Sequence, residues 1–419
     1  MKNMMMGASA LALMAGFANA QDADRTGQAV MQTEVLPVSE RMAADHAPIG
    51  VRAGSFLVIP KIELTETYND NIYATSSNEE SDFVTSIKPE VAVRSNWNRH
   101  AVNAVAKADV KRFADNGNED HENYLVAADG RLDVLRDTSI GGGLSYAQDH
   151  EDRGDPNAIG TSQEPTRYNT TVARIGAYRG LGKANARVDS EFKKLDYKDG
   201  ETLAGANIDN DVRDRNEYTQ SLRLGYQLNR QFEVFGRGAW DNRVYDNKSV
   251  ARSNNGQTYT AGTSFDISGK TKGEVYAGYM ERSYAKNNRK SISEPTFGGK
   301  ITWNATDLTS VIGSVNRGIE ETTIGNASGF VSTDYDLGVE HALTRDVLLK
   351  GNVGYTNNKY EGFGAQREDD IVVAGAGVDY WLNRCFKAGL SYNFTDRDSN
   401  VAGGDFSRNT VMLKLTATY

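Results

Sequence analysis

The chain reads as an all-β protein, a transmembrane antiparallel β-barrel of about 18 strands. Three observations predict this. From Ser55 onward, segments of about a dozen residues alternate apolar and polar side chains with period two, the pattern of a strand whose two faces meet different surroundings. Short and long connectors take strict turns between those segments. The chain also ends on an aromatic, Tyr419, at the close of an alternating strand.

Composition alone suggests something else. The 419 residues carry 47 Lys and Arg against 56 Asp and Glu, a net charge of −9, with 39 % hydrophobic residues. With a mean hydropathy of −0.56, that is the profile of a soluble acidic protein of two or three domains. Period two explains it differently. Only every second strand residue faces lipid, while the lumen, loops and turns stay polar. The 41 Gly and 20 Tyr against 7 Pro favour extended antiparallel structure. A single cysteine, Cys385, excludes an internal disulfide framework and a Cys-rich zinc module. Beyond the N-terminus the longest apolar run, Ile371 to Val378, is far short of the roughly 20 residues a membrane helix needs. An acidic exported chain also argues against nucleic acid as a partner.

The elements follow in order. Lys2, an apolar stretch from Met4 to Phe17 and then Ala18-Asn19-Ala20 have the layout of a secretory signal peptide over residues 1–20. This predicts Sec export and a place in the outer membrane of a Gram-negative bacterium. Residues 21–53 are polar and mixed, which predicts a periplasmic arm with room for a short helix. The barrel is expected over 54–419. In the first strand Phe56, Val58, Pro60, Ile62 and Leu64 share one face and Lys61, Glu63 and Thr65 the other. In the last, Val411, Leu413, Leu415 and Tyr419 oppose Lys414 and Thr416. This ending is similar to the C-terminal signal read by the bacterial barrel-assembly machinery, an expected partner together with outer-membrane lipids.

The short connectors are tight and usually carry a basic residue, as in Asn98-Arg99-His100, Arg136-Asp137, Asn229-Arg230, Gly269-Lys270, Thr344-Arg345 and Asn383-Arg384. The long ones, at about 69–81, 114–121, 150–164, 197–214, 246–256, 285–292, 321–329, 361–369 and 397–405, are rich in Asn, Asp, Glu, Gly and Ser. Nine loops and eight turns join 18 strands, or 16 if the weaker alternation over 164–196 is not strand. Aromatics near strand ends (Tyr68, Tyr73, Trp97, Phe113, Tyr124, Tyr146, Tyr178, Tyr197, Trp240, Tyr245, Trp303, Tyr360 and Trp381) are expected to form the interfacial girdles.

With the apolar face toward lipid, the opposite face lines a pore. It would present Lys61, Glu63, Lys88, Glu90, Arg94, Lys107, Asp109 and Arg131 on the first strands. Arg187, Asp189, Arg223, Arg237, Lys350, Lys387 and Lys414 continue it on later ones. Both signs occur two residues apart, so the side chains either pair into a hydrated ladder or form a track for a hydroxyl-rich or charged polymer. Nothing calls for catalysis, a cofactor or a resident metal. The five His are scattered without ligand spacing, and Asn118 to Glu122 and Asp209-Asn210-Asp211 are oxygen-rich without an EF-hand pattern. Gly141-Gly142-Gly143 falls within a strand and is no phosphate loop.

One segment goes beyond periodicity. Gly50-Val51-Arg52-Ala53-Gly54-Ser55-Phe56 leads through Pro60 to Tyr68-Asn69-Asp70-Asn71-Ile72-Tyr73, then Ser81-Asp82-Phe83, Pro89 and Ser95-Asn96-Trp97. This hairpin resembles the start of the outer-membrane family called putative β-barrel porin 2. The resemblance implies a conduit for exopolysaccharide, working with a periplasmic or outer-membrane polysaccharide-export protein. A general small-solute porin and a structural or adhesive surface barrel stay open as alternatives. Asn69, Asp70 and Asn71 suit turn geometry, and Pro60 and Pro89, each removing a ladder donor, predict a bulge or a break in pairing.

Overall fold

The computed structural model describes residues 35–284, 289–362 and 367–419. The expected leader lies outside the described residues, as does the start of the arm. Eighteen antiparallel strands form one sheet: β1 Phe56–Asn69, β2 Asp82–Ser95, β3 Ala101–Phe113, β4 His121–Leu135, β5 Thr138–His150, β6 Arg167–Leu181, β7 Ala184–Tyr197, β8 Arg215–Gln227 and β9 Phe232–Tyr245. The round continues with β10 Asn254–Ile267, β11 Thr271–Tyr284, β12 Ile292–Thr306, β13 Thr309–Glu320, β14 Ala327–Ala342, β15 Val347–Gly362, β16 Glu368–Trp381, β17 Phe386–Ser399 and β18 Phe406–Thr418. Each pairs with its sequence neighbours, and β1 pairs with β18 from Lys61↔Thr418 to Asn69↔Thr410, which closes the barrel. The segment over 164–196 contributes two full strands, so the count is 18. Closure is what hydrocarbon demands, since an open edge would leave backbone donors and acceptors unpaired.

The outer face is apolar and exposed, as on Leu224 and Tyr226, Leu337 and Val339, and Leu413 and Leu415. Aromatic pairs bridge neighbouring strands on it. Trp240 meets Tyr259 edge-on and donates its indole N–H to the tyrosine hydroxyl at 3.0 Å, and Tyr335 stacks on Tyr355. The expected girdle is only half outward. Tyr68, Trp97, Tyr124, Tyr146, Trp240 and Trp303 are exposed on the outer wall. Tyr197, Tyr245, Tyr360 and Trp381 are instead buried on the inner face, Phe113 and Tyr178 line the lumen, and Tyr73 lies on a loop. Nearness to a strand end fixes the height of a side chain, whereas parity decides the face.

The prolines divide: neither makes a bulge, Pro60 keeps its register with β2, and Pro89 falls at the expected break in pairing. Pro60 pairs with Val91 and Pro89 with Ile62 without any shift of register. On its other edge β2 loses ladder pairs only at Lys88 and Pro89, between Ile87↔Val110 and Glu90↔Lys107. Bulges occur elsewhere, between Asp133 and Leu135, Asn304 and Thr306, and Ala327 and Gly329.

The motif hairpin forms the barrel seam. A short strand, Val51–Ala53, folds back on Phe56 to Val58 through Gly54, whose φ of 63° is the left-handed conformation glycine adopts freely. At the other end of β1, Asn71 is fully buried. Its amide donates to the carbonyls of Thr75 (2.7 Å) and Ser407 (2.9 Å) and its oxygen accepts from Thr75 N–H. Asp70 accepts from the Asn409 backbone and side-chain N–H at 2.6 and 2.7 Å. The first loop is thereby latched to the last strand. Asp82 fastens the next loop, accepting from Ala114, Asp115 and Asn116 N–H and from the Asn116 side chain.

Candidate functional site: the barrel lumen

The inner faces enclose a cavity of about 1960 Å³. Twelve of the fifteen expected pore residues line it: Lys61, Glu63, Lys88, Glu90, Lys107, Asp109, Arg131, Arg187, Asp189, Arg237, Lys350 and Lys414. Three do not. Arg94 is exposed near the short-turn end of β2, Arg223 is drawn against Glu233 (2.9 Å) and Glu274 (3.0 Å), and Lys387 lies over the Trp381 ring near Asp379.

Strands β1 to β9 carry most of the charge, and much of it pairs within the wall. Lys61 meets Glu90 at 2.7 Å, Lys88 sits between Glu63 (3.7 Å) and Asp109 (3.8 Å), and Arg187 holds Asp189 at 2.8 Å. Period two produces this ladder, because inward residues two apart on one strand, or opposite on adjacent strands, lie within side-chain reach. The wall of β13 to β18 differs. Asn316, Asn352, Ser391, Asn393, Thr395 and Thr410 bring amides and hydroxyls to the same cavity. Lys350, bonded to Asp379 at 2.6 Å, shares that wall with Glu320, Asp334, Asp336, Glu340, Arg408 and Lys414, a set of both signs that is sparser than on β1 to β9.

Two segments enter the barrel from its ends. At the long-loop end, residues 151–166 between β5 and β6 fold inward and reach strands that are not their neighbours. Arg408 on β18 binds Asp152 at 3.0 Å, and Arg397 on β17 donates to the Gly154 carbonyl at 3.1 Å. Asn157 donates to the Glu321 carbonyl and accepts from Thr323 N–H, both at 3.0 Å, across to the loop between β13 and β14. Arg153 pairs with buried Glu119, and buried Arg213 with half-buried Glu151. Inward aromatics at the strand ends seat these loops. Arg213 lies 4.0 Å over Tyr197, and Arg397 and Arg408 lie 4.6 and 5.6 Å over Phe406.

Burial drives the electrostatics of this loop. Desolvation, reinforced by Asp152 and Glu151, pushes the Asp155 carboxyl up to about 8. Asp152 is buried too, but the Arg408 guanidinium and the Gly154 N–H outweigh that penalty and hold its carboxyl below the usual range.

The other end is entered by the arm. Helix α1 (Val38–Asp45) follows Pro37, whose fixed φ suits a helix start. It docks on inward residues of β12 to β16. Val38 N–H donates to Ser310 Oγ (2.9 Å), Ser39 donates from N–H and hydroxyl to Glu340 (2.8 Å each), and Asn304 donates to the Leu36 carbonyl. Val38 and Met42 pack on Ala342, Leu348 and Trp381, and His46 stacks on Trp381 with its ring 3.0 Å from Asp346. Neither inward segment is marked by any motif. The charged residues Arg397 and Arg408 were the available signal, but their partners lie 243 and 256 residues away, and Glu321 takes part through its backbone carbonyl.

Of the oxygen-rich clusters, Asp199, Asp209 and Asp211 converge within 4.8 Å of one another, all exposed. Asn118, Asp120 and Glu122 stay on the surface near Arg112.

A search of curated proteins finds no match. Among solved structures the chain is similar to the siderophore receptor PirA of Pseudomonas aeruginosa, at 8 % identity and a TM-score of 0.45, covering 86 % of this chain and 80 % of that one. It is similar also to OpdK of the same organism (10 %, TM-score 0.45, 86 % and 99 %) and to its OpdO (10 %, TM-score 0.46, 87 % and 97 %). The family model for putative β-barrel porin 2 matches residues 44–419, from the end of α1 through the last strand, and the chain belongs to that family of outer-membrane barrels.

Proposed function

We propose that this porin-like outer-membrane barrel is a passive conduit for a hydroxyl-rich polymer, an exopolysaccharide, moving outward from the periplasm. The observation that carries this reading is the asymmetry of the lumen. The wall of β13 to β18 mixes amides and hydroxyls with sparser charges of both signs, and it faces a denser ladder in which Lys61 pairs with Glu90 and Arg187 with Asp189. Such a surface offers many hydrogen bonds without a fixed field of one sign, which suits a neutral or weakly charged glycan. Direction would come from machinery in the inner membrane and a polysaccharide-export protein; the leader at 1–20 would direct export of the barrel itself, and the arm at 21–53 would stay on the periplasmic side. A small-solute porin is the second reading, favoured by the narrowing that residues 151–166 impose. Two measurements separate them. Deleting the gene should abolish secreted polymer while uptake of small solutes is retained, and neutral oligosaccharides should block the current of the purified barrel in planar bilayers. Unchanged polymer together with lost uptake would favour the porin.

A further inference from the structure

The eight short turns share a feature that transport through the lumen does not use. Three of them follow one plan. In Leu228-Asn229-Arg230-Gln231-Phe232, Leu382-Asn383-Arg384-Cys385-Phe386 and Leu343-Thr344-Arg345-Asp346-Val347, the first leucine N–H bonds to the carbonyl of the fifth residue. The second side chain accepts from the amides two and three residues on: Asn229 from Gln231 and Phe232, Asn383 from Cys385 and Phe386, Thr344 from Asp346 and Val347. This fixes a leucine at the foot of the turn and an arginine at its tip, and both are exposed in all three. The other turns reach the same pairing by different geometry. Arg99, Arg136, Lys183 and Lys270 are exposed beside Trp97, Leu135, Leu181 and Ile267 respectively. Only the turn at Asp307-Leu308 has the apolar residue without the cation. All eight apolar side chains are between 39 and 59 % exposed. The opposite rim has the reverse sign on its first loops, with Glu79, Glu80, Asp115, Asp120, Asp209 and Asp211 all exposed.

We propose that this rim is a lipid-binding collar, in which the exposed leucines mark the hydrocarbon edge of the periplasmic leaflet and the seven turn cations bind the phosphates of anionic phospholipid headgroups. The occupant follows from position and charge. Long basic side chains at a membrane boundary bury their stems in the apolar zone and carry the charge to the headgroups. A polybasic surface at that depth gains about fivefold in lipid partition for each cation, on the order of 1 kcal/mol apiece. A ring of such turns would fix the height and tilt of the barrel in the leaflet; of the seven cations Arg136, with Leu135, also borders the cavity, and the other six stand clear of it.

The test is lipid preference read by quenching of tryptophan fluorescence, Trp97 standing in this rim, with brominated phosphatidylglycerol against brominated phosphatidylcholine in reconstituted vesicles. The wild-type barrel should favour phosphatidylglycerol severalfold, and added salt should erode that preference. Replacing Arg99, Arg136, Lys183, Arg230, Lys270, Arg345 and Arg384 with Gln should bring the ratio close to one, while a Lys248→Gln and Lys290→Gln control on the outer loops keeps the wild-type value. Should the full variant fail to fold, as heat-modifiable migration would reveal, R230Q/R345Q/R384Q alone should lose part of the preference. A wild-type ratio near one, a ratio unchanged in the folded variant, or an equal loss in the control would each overturn the proposal.

Discussion

Asp155 shows how one side chain ties the inward loop to solution conditions. Its carboxyl titrates near 8 because burial, and then the neighbouring Asp152 and Glu151, oppose its ionisation. The folded value is above the unfolded one, so the stability it allows is complete below about pH 4 and is lost as pH rises toward 8. Residues 151–166 should therefore be held more loosely at pH 9 than at pH 6. Protection factors of the loop amides, corrected for the intrinsic base-catalysed rise of exchange with pH, should fall over that range in the wild type and stay level in Asp155→Asn. A second prediction concerns Asn71, whose amide makes its bonds where no water reaches. Asn71→Ala leaves two carbonyls and one N–H without these partners, at a cost of about 1–3 kcal/mol for each group that stays unsatisfied. Urea unfolding in lipid vesicles would measure it.

Among the elements, Trp381 decides whether α1 stays docked. It is 8 % exposed, packs on Val38 and Met42 and stacks on His46. Truncation to alanine should cost about 3–5 kcal/mol of local packing, releasing the helix to protease while β1 to β18 remain paired and raising single-channel conductance. An unchanged digestion pattern would contradict this. The same contrast between strand and inserted segment explains what could be read from the residues. Each strand was legible because alternation is a direct consequence of a wall with lipid on one side and water on the other, as in Val411 to Tyr419. The path of residues 151–166 was not, because it depends on Arg397, Arg408 and Glu321, which are far away in sequence and carry no local signal. The inward turn of Tyr197, Tyr245, Tyr360 and Trp381 has the same origin. Trp381 seats α1, Tyr197 carries Arg213 beside Glu151, Tyr245 bonds Glu321 and Tyr360 packs on Phe330, and a strand-end position looks alike whether the side chain meets such an inner partner or a lipid headgroup.

At the scale of the whole molecule, parity becomes a measurable difference between adjacent residues. Leu390 is exposed on the outer wall, whereas its neighbour Ser391 lines the cavity. Leu390→Arg should destabilise the barrel by about 2–4 kcal/mol near mid-membrane, and Ser391→Arg by well under 1 kcal/mol while altering ion selectivity. Equal effects at the two positions would argue against the assignment of faces. The loops and turns were placed well by composition, and the expected lumen list was mostly legible for the same reason as the strands. It failed at Arg94, Arg223 and Lys387, where rim position or local pairing takes the side chain out of the open cavity.

The seam has a consequence in time. Asp70 and Asn71 lie in the first loop, but Asn409 and Ser407, to which they bond, arrive with the last strand, 339 and 336 residues later. Until that strand is present, β1 has an edge that cannot be satisfied within the hydrocarbon, and Asn71 in the loop has one amide bond fewer. Of all the strand pairings in the wall, that of β1 with β18 spans the most chain, out to Lys61↔Thr418, and so has the greatest loop-closure cost. Zipping of β1 to β18 is therefore the step expected last in assembly, and the latch forms only once β18 is present. A barrel lacking its end would stay open at the seam and keep its first loop unanchored, which makes the first hairpin a checkpoint for synthesis of the last.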